Sequence, residues 1–486
     1  MRKHIKKVIE IYEGIPLPIK ASLWFTICSV LQKGISFITT PIFTRALTAN
    51  EYGVYSVYQS WYSIICVIAT LNLSAGVFNN GLTKFDKHQD RFESSMVGLS
   101  ITLSTACCVI YFFAENFWNS VFNLSTLLVF TMLMECMWQP AFLFWSSRQR
   151  YDFKYKKLVG VTILMSVISP VLGIITVTMA DNKADARIIS YAFVQIITGI
   201  FFTVIILGKE KHFYDKNYWR FALAFNIPLI PHYLSMTVLN QADRIMISRM
   251  TTDANAAIYS IAYTIAMLMT IVTVAINNSF IPYTYKALKN KGYSNIKRNA
   301  DWLIILIALG CFIVMAFGPE IVTLMAPEEY YQAIWVIPPV AASVFFMFLY
   351  PLFGNIEFYY EKTKPIMIAS SIGAVLNIVL NYIFIPIWGF YAAGYTTLFC
   401  YIMFAVAHYY FYKRIIRAEI PEIDNIYNIR YILAISLLVI LVMIFMTTIY
   451  KYRILRYGVV LIMAGIMAMK RKWIINVIKN IRGDMK

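Results

Sequence analysis

Ser22, Thr26, Ser29, Lys33, Ser36, Thr40 and Thr44 follow one another at intervals of three or four residues. In a helix, at about 100° per residue, such a series keeps to one narrow face. Trp24, Phe25, Leu31, Phe37, Ile38 and Phe43 take the other face. Hydroxyls around one ammonium group can stand in for water around an anion. A helix that is apolar elsewhere turns such a stripe to protein or water, not to lipid. Lys33 lies roughly 18 Å along the axis from Arg45, too deep to snorkel easily to either surface. A buried Lys paired with an acid for packing is the plainer alternative. The cost of intramembrane charge favours a solvated role.

A second set runs from Asn226-Ile-Pro228-Leu-Ile-Pro231-His232 to Asn240, Asp243 and Arg244. The two prolines predict a kink or freed carbonyls near the start of this segment. His232 and Asp243 nearly share a face, and Arg244 points about 100° away from Asp243. Glu135, Asp243 and His232 are the titratable candidates for ion coupling. Each has a structural alternative. His232 can be a hydrogen-bonded core histidine, and Asp243 and Arg244 can tie neighbouring helices. Glu135 can be the counter-ion of Lys33 or Arg244. Arg45 and Arg249 end their segments at matched positions, where capping a helix C-terminus and binding headgroups is the simplest role. Tyr55, Gln59 and Tyr62 form one face and Tyr259, Tyr263 and Thr270 another. Such faces stack sugars, or serve interfacial belts and packing.

The elements that must position these residues are long and apolar. Hydrophobic residues make up 59% of the chain. They gather in about fourteen blocks: 20–44, 54–76, 95–113, 122–146, 158–179, 187–207, 221–249, 256–283, 300–325, 333–356, 364–386, 391–412, 431–450 and 454–469. A block of about 20 apolar residues spans a bilayer core as a helix, because no water is there to satisfy any other backbone. Thirty-four of the 43 Lys and Arg fall before the first block, in alternate gaps, in the tail or at the block edges beside them, and seven in the remaining gaps or at their edges. This bias puts both termini in the cytoplasm. Lys451, Arg453 and Arg456 run against it. Arg187 counts among the outer-gap cations.

The net charge of +18 is therefore topological, with added attraction for anionic headgroups. Loops under about 20 residues leave no room for an extramembrane domain, so no nucleic-acid partner is expected. Cys28, Cys66, Cys107, Cys108, Cys136, Cys311 and Cys400 all lie in spans and read as packing residues, not disulfides or metal ligands. No cleavable signal is expected at the charged N-terminus. No P-loop is found, and no cofactor or bound metal is expected. The fold class is an all-α polytopic membrane protein.

The chain repeats itself. Arg45-Ala-Leu-Thr48-Ala-Asn-Glu-Tyr-Gly-Val-Tyr55-Ser56 returns as Arg249-Met-Thr-Thr252-Asp-Ala-Asn-Ala-Ala-Ile-Tyr259-Ser260, shifted by 204 residues. Trp138-Gln-Pro140 before a basic turn resembles Leu349-Tyr-Pro351. The repeat predicts a six-helix lobe at 1–208, a parallel copy at 209–414, and two further helices with a basic tail at 415–486. Two matched halves with a site between them is a transporter architecture.

Four stretches carry a family resemblance: Pro41-Ile-Phe43-Thr-Arg45-Ala-Leu47 with Glu51-Tyr-Gly53-Val-Tyr55-Ser56; Ile227-Pro-Leu-Ile-Pro-His232 with Asp243-Arg244-Ile-Met-Ile247; Asn377-Ile-Val-Leu-Asn381-Tyr-Ile-Phe-Ile-Pro386; and Gly389-Phe-Tyr-Ala-Ala393-Gly394. With these the chain resembles Wzx-type flippases of the MATE-like MOP superfamily, which move undecaprenyl-pyrophosphate-linked oligosaccharides in O-antigen and capsule synthesis. The resemblance implies two six-helix lobes that alternate access, with spans 1 and 7 lining a cationic cavity for the pyrophosphate. Lys33, Arg45, Arg244 and Arg249 are the positions that would supply that charge. Ser29, Ser36, Thr40, Gln59 and Asn240 would line it. Spans 13 and 14 would offer a groove for the prenyl tail. The implied partners are the lipid-linked oligosaccharide, membrane lipids, a polysaccharide polymerase and a chain-length regulator, at the bacterial inner membrane.

Two other classes compete. A drug or cation antiporter of the same superfamily would fill its cavity with carboxylates, whereas Lys33 and Arg244 give this one a basic tendency. A membrane glycosyltransferase or polymerase would be an enzyme and needs a large outer loop with paired carboxylates. Glu328-Glu329 sits in a loop too small for that.

Overall fold

The computed structural model describes residue 14, residues 16–362 and residues 364–469. The segment before Pro16 and the tail 470–486, which carry part of the cation bias, lie largely outside the described residues. Among the described residues the chain forms eighteen helices and no strand. Each of the fourteen expected spans is largely helical, but 221–249 is divided by a 3-10 turn and 256–283 by a break between two helices. Ten helices are long and apolar enough to cross a membrane, or eleven when one bent pair counts as a single span. This is a polytopic, all-helical membrane protein.

The first compact unit is Met1–Leu234. It contains α1 (Leu17–Ala46), α2 (Ala49–Thr70), α3 (Gly76–Lys84), α4 (Gln89–Phe113), α5 (Glu115–Phe122), α6 (Thr126–Tyr151), α7 (Tyr155–Met179), α8 (Lys183–Lys209) and α9 (Lys216–Asn226). A 3-10 turn, Ile227–Leu229, follows and contains Pro228. It is the break the two prolines predict, since Pro228 has no N–H to continue the ladder. The chain then enters α10 (Ile230–Met250).

Three-residue links join α6 to α7 and α7 to α8. Links this short force antiparallel neighbours. Gly199 lets α8 come close to α6: a Cβ there would stand 2.3 Å from the Trp138 carbonyl oxygen. Small residues allow such backbone approach where lipid provides no hydrophobic drive between helices. Pro140 inside α6 leaves the Cys136 carbonyl without its helical donor, and Ser104 Oγ donates to that oxygen at 3.4 Å.

The second unit is Ser235–Lys486. It holds the rest of α10, then α11 (Asp253–Ala266), α12 (Met269–Lys289), α13 (Tyr293–Met325), α14 (Ile337–Tyr359), α15 (Lys364–Trp388), α16 (Tyr391–Glu419), α17 (Ile429–Ile449) and α18 (Arg453–Met469). The pair α11 and α12 is bent by 42° and together replaces the straight eighth span. α2 and α16 reach 22 and 29 residues, but their Tyr, Ser, Thr and His content keeps their hydropathy low. The described part of α18 covers 17 residues, Arg453–Met469. On α17, Leu433, Leu437, Leu441 and Ile444 are each more than half exposed along one helix face. Such a stripe needs lipid, because water would not tolerate it.

The repeated motif builds the same joint in both units. Thr48 caps α2 by accepting from the Glu51 N–H, with Glu51 returning a bond to the Thr48 N–H. Thr252 caps α11 by accepting from the Asn255 N–H at 3.2 Å. Side-chain oxygens at this position satisfy N–H groups that the first helical turn leaves open.

Candidate functional site

In the first unit, α1, α2, α6, α7 and α8 enclose a cavity of about 470 Å³. Its wall holds Arg150 and Arg187 and no carboxylate. Amides and hydroxyls make up much of the rest, among them Gln32 and Ser36 of α1, Gln139 of α6 and Ser169 of α7. Because α6, α7 and α8 alternate in direction, Arg150 at the end of α6 and Arg187 near the start of α8 mark opposite ends. The span along α7 from the level of Thr162 to that of Gly173 is roughly 16 Å.

Arg187 owes its position to the start of α8. The Asn182 side chain accepts from the Asp185 N–H at 3.1 Å and begins the helix there. Arg187 is only 8% exposed. Its guanidinium sits 3.8 Å from the Phe43 ring centroid and 4.8 Å from that of Tyr55. Nη2 donates to the Tyr55 hydroxyl at 3.5 Å. Nη1 has no acceptor among the described residues. A cation held by ring faces rather than by an acid keeps its charge for a ligand. The open N–H groups of the helix start add to that positive potential. Gly173 makes the room: a Cβ there would stand 2.7 Å from Nη1 and 3.1 Å from the Phe43 ring.

The expected residues of this unit divide. Ser36 lines the cavity. Thr40 is buried and donates to the Ser36 carbonyl at 2.8 Å. Lys33 and Ser29 are exposed on α1 and lie outside that wall. Ser29 Oγ donates to the Phe25 carbonyl at 3.0 Å. Arg45 is exposed, and its Nη1 donates to the Pro41 carbonyl at 2.9 Å, at the end of its own helix. Gln59 is half-buried, with Nε2 lacking a partner among the described residues. Glu135 is buried; the Tyr58 hydroxyl donates to Oε2 at 3.4 Å, and Oε1 has no partner among the described residues. His232 is half-buried beside Tyr233, with ring centroids 5.9 Å apart.

In the second unit Asp243 is the centre of a buried polar cluster. Its side chain has no exposed surface. Asn381 Nδ2 and Thr397 Oγ1 donate to it, each at 2.7 Å, and the Tyr259 hydroxyl donates as well. Thr396 in turn donates to Asn381 Oδ1, and Asn381 Nδ2 also reaches Asn377 Oδ1 at 3.3 Å. Helices α11, α15 and α16 thus converge on one carboxylate through neutral oxygen- and amide-bearing groups. Arg244 turns away from Asp243. Its Nε donates to Ser260 Oγ at 3.1 Å, and its Nη1 donates to the Asn240 carbonyl at 2.8 Å and to Gln241 Oε1 at 3.2 Å. Its guanidinium lies 4.4 Å from the Tyr263 ring centroid. Asn240 Oδ1 accepts from the hydroxyls of Tyr263 at 3.0 Å and Tyr401 at 3.1 Å. Asp243, Arg244 and Asn240 therefore belong to one cluster, while Arg249 is exposed.

The family of polysaccharide biosynthesis proteins matches residues 19–288, more than half of the chain. The chain belongs to this family. A second family, MatE, matches residues 228–383 of the same polysaccharide biosynthesis protein. Among its curated relatives is the Lsg locus putative protein 1 of Haemophilus influenzae, 22% identical over 388 residues, which are 74% of this chain and 89% of that one. Among solved structures, the lipid II flippase MurJ in its inward closed conformation aligns with a TM-score of 0.66 at 15% identity, covering 93% of this chain and 100% of that one. An inward-facing multidrug resistance MATE transporter of the MOP superfamily aligns with a TM-score of 0.59 at 12% identity, covering 82% and 98%. The fold of this polysaccharide biosynthesis protein is that of a MOP-type membrane transporter.

Two sets escape the sequence reading. Arg187 reads as a loop cation because the apolar block begins at that residue, whereas the Asn182 cap starts the helix earlier and draws it inside. Glu357 and His408 form a buried pair 51 positions apart, Oε1 to Nδ1 at 2.8 Å. A lone acid at the end of one span and a lone histidine within another was the available signal.

Proposed function

We propose that this chain is a flippase carrying undecaprenyl-pyrophosphate-linked oligosaccharide repeat units across the bacterial cytoplasmic membrane, for O-antigen or capsular polysaccharide. The observation that carries this reading is the arginine-bearing, carboxylate-free cavity of the first unit. A pyrophosphate cannot enter hydrocarbon bare, because its desolvation is prohibitive. Guanidinium groups and hydroxyls replace its water, and arginine suits the two-pronged contact that phosphate offers. The prenyl tail stays in lipid. A cavity built for cationic drugs would present carboxylates instead.

Two parallel six-helix lobes, 1–208 and 209–414, alternate access, with 415–486 outside them and both termini cytoplasmic; the shifted repeat and the cation bias support this. Asp243 is the coupling site in this reading. A buried carboxylate ringed by hydroxyls and amides suits a proton or a small monovalent cation. Glu135 and His232 are the further titratable candidates. Lys33, Arg244, Arg45 and Arg249 contribute charge along the route. The protein acts as a transporter, not as an enzyme, beside a polymerase and a chain-length regulator.

Deletion tests the reading. Lipid-linked repeat units should accumulate on the cytoplasmic leaflet, and wild type should restore export. Arg187→Ala, Lys33→Ala and Arg244→Ala should not. An unchanged leaflet distribution on deletion would remove the flippase, and full rescue by Arg187→Ala would remove its cavity.

A further inference from the structure

We infer that the first unit's cavity is a phosphosugar subsite, in which Arg187 takes a phosphoryl group and Gln139 and Ser169 read the hydroxyl or amide groups of the sugar attached to it. This rests on the flippase reading and makes it specific to the sugar next to the phosphate.

The polar atoms left without partners carry the inference. Around the cavity wall, Arg187 Nη1, Gln139 Oε1 and Ser169 Oγ are buried and have no hydrogen-bond partner among the described residues. Arg187 and Ser169 are 8% and 5% exposed. Their neighbours are already engaged. Ser166 Oγ donates to the Thr162 carbonyl at 2.7 Å, and Thr39 Oγ1 to the Ser36 carbonyl at 3.1 Å. A buried polar group without a partner costs stability unless something else completes it.

The chemistry of the three groups differs. A bare phosphate accepts hydrogen bonds and has no use for an acceptor. Arg187 can serve it; the Ser169 hydroxyl and the carboxamide of Gln139, each both donor and acceptor, suit a partner of the same kind. Sugar hydroxyls and N-acetyl groups have that dual character. The residues of the wall include no carboxylate, imidazole or thiol, and its hydroxyls can act as hydrogen-bonding groups toward the ligand. At about 470 Å³ the cavity lies within the usual range for a small-molecule site. That admits a phosphorylated sugar ring rather than a whole repeat unit. Pro170, also on the wall, leaves the Ser166 carbonyl without its helical donor.

The test is binding to the purified full chain in phosphatidylcholine nanodiscs, with inorganic phosphate, glucose, glucose 1-phosphate and N-acetylglucosamine 1-phosphate as probes. Wild type should bind at least one sugar phosphate about tenfold more tightly than inorganic phosphate. Gln139→Leu and Ser169→Ala should each cut that preference about threefold to tenfold and leave phosphate binding unchanged. Arg187→Gln should weaken both about tenfold or more, with partial rescue by Arg187→Lys. If Gln139→Leu disturbs folding, Gln139→Asn provides the check, because the shortened carboxamide should cut the sugar preference about threefold to tenfold and leave phosphate binding unchanged. Sugar-phosphate binding unaltered in the Gln139 and Ser169 variants would overturn the subsite and leave the flippase reading standing. No binding by wild type, with leaflet transport intact in cells, would do the same. Loss of both binding and leaflet transport dependence would overturn the two together.

Discussion

Glu357 Oε1 and His408 Nδ1 meet at 2.8 Å with no exposed surface on either side chain. The pair ties α14 to α16. The Tyr350 and Phe404 rings close over the imidazole, with centroids 4.5 and 4.6 Å away. Removing one partner leaves the other buried alone. His408→Ala should therefore destabilise the protein by about 3–5 kcal/mol, whereas Glu357→Gln, which keeps a hydrogen-bonding oxygen, should cost far less. Thermal unfolding of the purified variants in detergent, followed by tryptophan fluorescence, checks this. Equal melting points would mean that the pair contributes nothing to the fold.

Gly173 and Gly160 lie on the same helix with different surroundings. A methyl group at 173 would meet the end of Arg187, a flexible side chain that can move aside, whereas nothing lies within 4 Å of a methyl group at 160. Gly173→Ala should displace the guanidinium and lower export about tenfold, with the melting temperature nearly unchanged. Gly160→Ala should leave both as they are. Leaflet accumulation of lipid-linked units, compared between the two variants, separates these outcomes.

Asp243 is surrounded by groups that donate to it. Asp243→Asn removes the charge, and its amide N–H then faces a donor. Export should become insensitive to an imposed proton or sodium gradient and fall about tenfold. The measurement is transport into proteoliposomes with each gradient clamped in turn. A gradient response equal to wild type would assign coupling to another residue.

Asp215 links acidity to local order at the start of α9. Partial burial raises its carboxyl, but the Tyr218 N–H, the His212 ring and the Asn217 N–H outweigh this and hold it below the usual range. Its oxygen accepts from Asn217 N–H at 2.8 Å and Tyr218 N–H at 3.1 Å. A lowered carboxyl lends stability above the ordinary carboxylate range and loses it as pH falls through the folded value. Protection of the Tyr218 amide from hydrogen exchange should drop below about pH 4. Asp215→Asn, which caps nearly as well, should remove that acid sensitivity.

The spans were readable because fourteen apolar blocks leave the backbone no alternative to helix. The bend between α11 and α12 was not, since Met267 and Leu268 at the break carry no proline or glycine signal. Asp243 and Arg244 stood out as charges in an apolar segment, yet their partners Asn381, Thr397 and Ser260 are ordinary helix residues until the fold brings them together. Arg456 ran against the cation bias. In the structure it is 2% exposed and bonded to Glu320, which also accepts from the Tyr457 hydroxyl at 2.8 Å. Its guanidinium thus ties the start of α18 to α13.

The Thr48 and Thr252 joints share one repeated motif, but the contacts nearby differ. In one copy Tyr55 flanks a guanidinium that faces a cavity; in the other Tyr259, at the matched position, donates to a buried carboxylate. The second cluster also holds Arg244, whose guanidinium lies 5.9 Å from the Tyr259 ring centroid, so the two sites differ in what the matched tyrosine bonds rather than in a single sign of charge. A substitution at Tyr55 thus meets a guanidinium and one at Tyr259 a carboxylate, and neither change removes a direct hydrogen bond at the other position.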